Sequence, residues 1–273
     1  MKKSKPCARA FRTDLWKDYR FAAIGDHDQS DFAFFTAPLR MFFIFQMLKM
    51  KESLKSVKEG KMKSCLIISG GEYSAIDEKV VAKCEFVIAC DKGIEYAQQM
   101  NIKVDLALGD FDSFLGNYEK IELDEKIHVM RLPAEKDYTD TFVAITEAIK
   151  RGFKDIVIAC ALGRRLDHEL ANMQSAVYAV KNGARVEMIS CDEHLYFFSN
   201  GTVTLERREG FSLSVFSLSD KCEGIFERGT KYTLENAMLE NSFPIGVSNE
   251  WAEDVAEISA GKGVILVVES RLR

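Results

Sequence analysis

VDLALGDFDS, residues 104–113, runs an apolar segment into a glycine and then sets Asp110 and Asp112 two positions apart. It reads as a buried strand that delivers two carboxylates to its tip. Gly109 permits backbone angles closed to other residues, and Phe111 can point away from the acidic pair and anchor the turn in the core. Magnesium takes oxygen ligands, commonly one or two carboxylates with waters and phosphate oxygens completing an octahedron. The pair therefore points to a metal–phosphate site. A lone D-x-D more often marks a solvated acidic turn, so the surroundings of this one decide its meaning.

Those surroundings are regular. From Lys63 the chain alternates short apolar runs with helix-length amphipathic segments: CLIISGG, a segment at 75–83, FVIAC, KGIEYAQQM, DLALGD, HVMRL (128–132), a helix from about Thr139 to Arg151, DIVIACALG (155–163), a helix from about Asp167 to Asn182, and RVEMIS (185–190). This is the pattern of βαβ units around a parallel sheet covered on both faces. In the last helix Leu170, Met173, Val177 and Val180 recur at helical spacing and are expected to form its core face.

In such sheets ligands collect beyond the carboxyl ends of the strands, where loops and helix N-termini offer unpaired N–H groups to anions. Gly70-Gly71 follows the first strand, Asp91 the second, Asp110 and Asp112 the third, and GRRLDH (163–168) a later one. EKDYTD (135–140) opens a helix, with Lys136 able to meet phosphate as a mobile charge and Asp140 in the first turn able to join a metal. At GRRLDH, Gly163 lets backbone approach a phosphate, Arg164 or Arg165 forks onto its oxygens, Asp167 caps the next helix, and His168 bonds phosphate or ribose. Taken singly, EKDYTD is an acidic helix cap and His168 a structural histidine. Their convergence on one sheet edge carries the argument.

The chain has 273 residues, 47% hydrophobic and 29% charged, with a net charge of −5. No basic block suggests a nucleic-acid partner. The seven cysteines show no metal-knuckle spacing and read as reduced thiols of a cytoplasmic protein. Residues 1–61 differ in character, with 13 Lys and Arg against 7 Asp and Glu. Their apolar run at 32–48 is broken by Pro38 and Arg40, too short to span a bilayer and not placed like a secretory signal. Met41, Met47, Met50 and Met62 are possible starts, so part of 1–61 is expected to be an over-extended or dispensable leader; an amphipathic interaction segment at Met41–Lys58 is the competing reading.

After Cys191 short β-type runs take over: HLYFF, TVTL, FSLSVFSL, EGIFE, KYTLENAML, SFPIGVSN, VAEISA and GVILVVES, separated by turn residues. They predict an antiparallel sandwich or barrel.

GDFDS, the Asp91 loop, KDYTD, GRRLDH with its following ELAN, and GVSNEW (246–251) occur in an order that resembles the thiamine pyrophosphokinase family, over about Met62 to the C-terminus. Lys92 and Arg164 stand where that family often has glycine. The resemblance implies an α/β fold, with a mostly parallel α/β nucleotide- and metal-binding domain at 62–191 followed by an antiparallel β-sandwich at 192–273 for thiamine binding and dimerisation. It implies in-line attack by the thiamine hydroxyl on the β-phosphorus of ATP, with AMP leaving. Asp110, Asp112 and Asp140 would hold Mg2+ and the ATP phosphates. Asp91, Lys136, Asp137, Gly163, Arg165, Asp167 and His168 would line the nucleotide side, and Ser248 and Asn249 would hydrogen-bond the thiamine pyrimidine. A homodimer with thiamine near the subunit interface is implied too. The residues alone also admit a metal-dependent nucleotide-sugar transferase, or an ATP sensor without turnover.

Overall fold

The structure is a computed structural model, which describes residues 63–111, 127–135, 137–163 and 165–272. The expectations for 1–61 lie outside the described residues. The elements follow in the order β1 (Ser64–Ile68), α1 (Glu78–Lys83), β2 (Phe86–Cys90), α2 (Gly93–Gln99), β3 (Leu106–Gly109), β4 (His128–Arg131), α3 (Asp140–Lys150), β5 (Asp155–Ala159), α4 (Leu166–Lys181) and β6 (Arg185–Ile189). Eight strands complete the chain: β7 (Glu193–Phe198), β8 (Gly201–Glu206), β9 (Phe211–Ser217), β10 (Lys221–Arg228), β11 (Leu234–Glu240), β12 (Gly246–Asn249), β13 (Val255–Ala260) and β14 (Ile265–Arg271).

The fold is mixed α/β, with a large sheet ordered β12-β9-β14-β7-β6-β5-β1-β2-β3-β4 and a separate antiparallel sheet ordered β11-β10-β13-β8. From β6 to β4 every pairing of the large sheet is parallel. The apolar runs produce this because alternate residues serve opposite faces. Cys65 and Ile67 of β1 pack with Ala144, Ile145, Ala176 and Ala179 of α3 and α4, whereas Leu66 and Ile68 pack with Ile94 and Ala97 of α2. At β7 the direction reverses, and β7, β14, β9 and β12 continue the same sheet antiparallel. Their inward residues, among them Leu213, Val215, Ile265 and Val267, meet Ile225, Ala256 and Ile258 of the second sheet in a sandwich core. One sheet thus runs unbroken through residue 191.

Of the core face that periodicity predicts for α4, Val180 is buried and Met173 and Val177 pack against the core, whereas Leu170 does not join it. Leu170 is 52% exposed, and the buried positions are Asn172, Ser175, Ala176, Ala179 and Val180. Small residues let the helix lie close to the sheet, so the bulky leucine is left on the outer side. The helix expected within 75–83 shortens to Glu78–Lys83, capped by Asp77, whose carboxylate accepts from Lys79 N at 2.7 Å.

Close approach also explains the glycine that opens α2. A Cβ on Gly93 would lie 2.1 Å from the carbonyl oxygen of Ile68, and neither backbone can withdraw without disturbing β1. Gly93→Ala is therefore expected to destabilise the fold by about 1–3 kcal/mol, read as a lower urea midpoint at unchanged m-value.

Candidate active site

β1 is central in the parallel half, with β5 on one side and β2 on the other. Successive crossovers leave it in opposite directions, which opens a crevice beyond the carboxyl ends of the strands. A cavity of about 510 Å³ occupies that place, walled by the β1 loop (Ser69–Gly71), the β2 loop (Cys90–Lys92), the start of α3 (Thr139–Thr141), and Ala161, Gly163 and the first turns of α4. Two helix N-termini face it. At α3, Thr139 Oγ1 accepts from Phe142 N at 3.2 Å, a cap that leaves the neighbouring first-turn amides for a ligand.

Side-chain hydrogen bonds hold the walls together. The Ser69 and Thr141 hydroxyls bond to each other across the end of β1 and the start of α3. Tyr96 donates to Gly71 O at 2.9 Å, and Gly71 lies so close to β5 that a Cβ there would be 2.6 Å from Cys160 O. Asn172 donates to Ala161 O at 2.8 Å, tying α4 to the loop after β5.

The chemical centre is Asp91. Its backbone is left-handed, with φ 42°, and its Oδ1 accepts from Phe111 N at 3.2 Å. A Cβ on Gly109 would fall 1.7 Å from the same oxygen, so a glycine is what lets the third strand end against this carboxylate. Phe111 is left-handed as well, at φ 64°, and packs against the core beside β2 and β3. Two neighbouring non-glycine residues in this region of φ are held by their surroundings at a cost. The Asp91 carboxyl hydrogen-bonds that of Asp140, and its pKa is pushed up to about 7, first by burial, then by Asp140, with the Phe111 amide opposing and the Asp110 charge adding. Three carboxyl groups from β2, β3 and α3 thus act on one another. Cys90, buried beneath them, has its thiol pushed far up by burial and is inert.

Asp91, Asp140, Gly163, Arg165 and His168 line the cavity, and Asp110 adjoins it through its charge on Asp91. Asp112, Lys136 and Arg164 lie outside the described residues. Asp137 is exposed and is not part of the wall. The cap position of α4 falls on Arg165 rather than Asp167. Asp167, in the first turn, takes the fork of Arg165 at 2.6 and 3.1 Å and accepts from His168 N at 3.0 Å. A phosphate would have to draw that guanidinium away from an exposed partner. Ser69, Thr141 and Asn172 were not among the expected site residues; the signal was a polar residue closing an apolar strand and two polar positions on the inner faces of helices.

Ser248 and Asn249 are elsewhere. They sit on β12, seven strand spacings from β2, which is roughly 33 Å along a flat sheet. Ser248 is exposed and Asn249 buried. The Asn249 amide donates to Glu227 Oε1 at 2.7 Å and Tyr232 O at 2.8 Å, and accepts from Tyr232 N at 3.0 Å and Glu250 N at 2.9 Å. Two donors and two lone pairs of the amide are thereby engaged by protein groups.

Among the described residues no group of three or more His, Cys, Asp or Glu side chains is arranged to hold a metal ion. Two hydrogen-bonded carboxyls are nonetheless a donor set suited to a hard cation, which would replace the proton they share.

A mostly parallel sheet with carboxylates and helix N-termini gathered at its switch point defines an α/β protein built to hold an anionic ligand. Residues 78–188 match the family model described as "Thiamin pyrophosphokinase, catalytic domain" and residues 202–265 the one described as "Thiamin pyrophosphokinase, vitamin B1 binding domain". The thiamine pyrophosphokinase of Bacillus subtilis (strain 168) is 28% identical over 215 residues, covering 77% of this chain and 99% of that protein. The crystal structure of thiamine pyrophosphokinase from Bacillus subtilis is similar at TM-score 0.67 and 27% identity, covering 77% of this chain and 99% of that one. That of a thiamin pyrophosphokinase family protein from Enterococcus faecalis is similar at TM-score 0.62 and 26% identity, covering 77% and 100%. The chain belongs to the thiamin pyrophosphokinase family.

The raised Asp91 group sets a pH dependence. Its native pKa exceeds the unfolded value, so its contribution is full below about pH 4 and is lost as pH rises through about 7. The metal-free protein should therefore lose urea stability between pH 4 and 7, and Asp91→Asn should flatten that slope.

Proposed function

We propose that the protein transfers the pyrophosphoryl group of ATP to the hydroxyethyl group of thiamine, giving thiamine diphosphate and AMP. The observation that carries this reading is the Asp91–Asp140 carboxyl pair at the cavity, with Asp110 beside it. Family membership supports the overall reaction. The oxygen of the thiamine hydroxyl bonds to the β-phosphorus, the bond from that phosphorus to the α,β-bridging oxygen breaks, and the hydroxyl proton leaves to a carboxylate of the Asp91, Asp110 and Asp140 group. Phosphoryl-type transfer needs placement and charge neutralisation more than a covalent nucleophile, and no residue of the wall is required as one. Mg2+ bound by Asp110, Asp140 and, from outside the described residues, Asp112 would neutralise phosphate charge. The glycines at 70, 71 and 163 let backbone approach the phosphates, the α3 N-terminus favours their charge, and Arg165 and His168 bound the nucleotide side.

Thiamine recognition at Ser248 has a geometric consequence. The distance from β12 to β2 far exceeds the length of one thiamine molecule, so a site using both ends of the sheet takes Ser248 from a second copy of the chain. We therefore read the working unit as a homodimer with each active site shared between protomers. Among the described residues no helix is long and apolar enough to cross a membrane.

Incubation with ATP, Mg2+ and thiamine should yield AMP and thiamine diphosphate on chromatography; UDP or GDP released from a nucleotide sugar, or ATP binding without AMP, would overturn the reading. Asp140→Asn should lower kcat by about 10²- to 10³-fold with the fold retained. Mixing two inactive variants, Asp140→Asn and Ser248→Tyr, should restore roughly a quarter of wild-type activity if sites are shared across a symmetric dimer, whereas no recovery would place both residues in one protomer's site.

A further inference from the structure

Glu227 is 2% exposed, lies among the buried positions of β10 in the four-stranded sheet, and is not among the residues that wall the cavity described above. A carboxyl group so deeply placed is expensive unless its bonds are specific. Its Oε1 accepts from Asn249 Nδ2 at 2.7 Å, and Thr230 supplies a second side-chain hydrogen bond. Asn249 in turn grips both the N–H and the C=O of Tyr232. Between its partners at Gly246 and Asn249, β12 carries one residue more than β9 opposite it, which is a bulge. Bulges re-aim a side chain, and here Ser248 is turned outward with φ 59°. Its amide is held by Ser214 Oγ at 3.0 Å. Ser248 is thus the exposed, strained residue of a short edge strand whose next residue is bolted inward.

We propose that Glu227 is a positioning residue for thiamine: through Asn249 it holds the β12 bulge in the shape that presents Ser248 to the substrate. This rests on the reading that β12 takes part in thiamine binding, which the match of residues 202–265 to a vitamin B1 binding domain supports. Glu227 touches no substrate itself. Because Asn249 is saturated by protein groups, removing Glu227 leaves a buried amide N–H without an acceptor, and the bulge is the nearest element free to shift in response.

The test compares Glu227→Leu with Glu227→Gln in the full-length protein, by steady-state kinetics in each substrate. Glu227→Leu should raise the KM for thiamine about tenfold or more while the KM for ATP stays within about twofold. Glu227→Gln, which retains the acceptor oxygen, should keep the thiamine KM within about threefold of wild type. An unchanged thiamine KM in Glu227→Leu, or equal rises in both KM values, would overturn the proposal, as would a Gln variant as impaired as the Leu variant. If Glu227→Leu does not fold, Thr230→Val is read in its place, with a selective rise in the thiamine KM expected and none counting against the proposal. A wild-type protein that makes no AMP from ATP and thiamine would instead sink the proposed activity, a result distinct from any of these.

Discussion

Asp91 and Asp140 come from different elements, β2 and α3, and are held within hydrogen-bonding reach of each other beside a third carboxylate at Asp110. At that separation the half-buried Asp91 carboxyl is held protonated up to about pH 7, and a bound cation would take the place of that proton. Much of the local architecture exists to permit this contact. Gly109 has no side chain because Asp91 occupies its place, Asp91 and Phe111 sit in left-handed backbone, and Gly93 has none because β1 passes directly behind it. Such strain persists where the surroundings over-determine it, and here the parallel sheet, buried on both faces, does so.

The same sheet sets a limit on what one chain can do. A ten-stranded order places the carboxylates toward one edge and β12 at the other. Closure of the second sheet over the antiparallel strands consumes the inner faces of β7, β14 and β9 in a sandwich core, leaving β12 as an edge strand whose outward residues meet solvent or another molecule. The two regions therefore lie far apart within one chain.

Much of this was legible beforehand because it is written in short-range signals. Thr139 and Arg151 bracket α3 as its caps, and the eight β-type runs after Cys191 are the eight strands β7–β14. Gly70, Asp91, Asp110 and Gly163 could be gathered at one edge because a parallel sheet puts every strand's carboxyl end on the same side. What escaped was tertiary in origin. Leu170 fits the helical period of α4 yet faces outward, because the sheet demanded small residues there. Arg165 forks onto Asp167, two positions away, an exposed contact that periodicity does not reveal. The continuation of one sheet past residue 191 depends on the direction of β7, and the alternation of apolar residues is blind to direction.

Ser248 and Asn249 illustrate how adjacent residues of one motif can divide its work. In sequence they are an equivalent pair of polar residues, each able to bond a pyrimidine. Hydrogen-bond accounting separates them: a buried amide must satisfy its donors and acceptors within the fold, and Asn249 does so four times over. Ser248, exposed and left-handed, commits its backbone N–H to Ser214, which fixes where its hydroxyl is carried. An asparagine in a binding motif is thus read as a ligand contact or as a brace according to whether its valences are already taken, and a buried acid such as Glu227, two strands earlier in the chain, decides which.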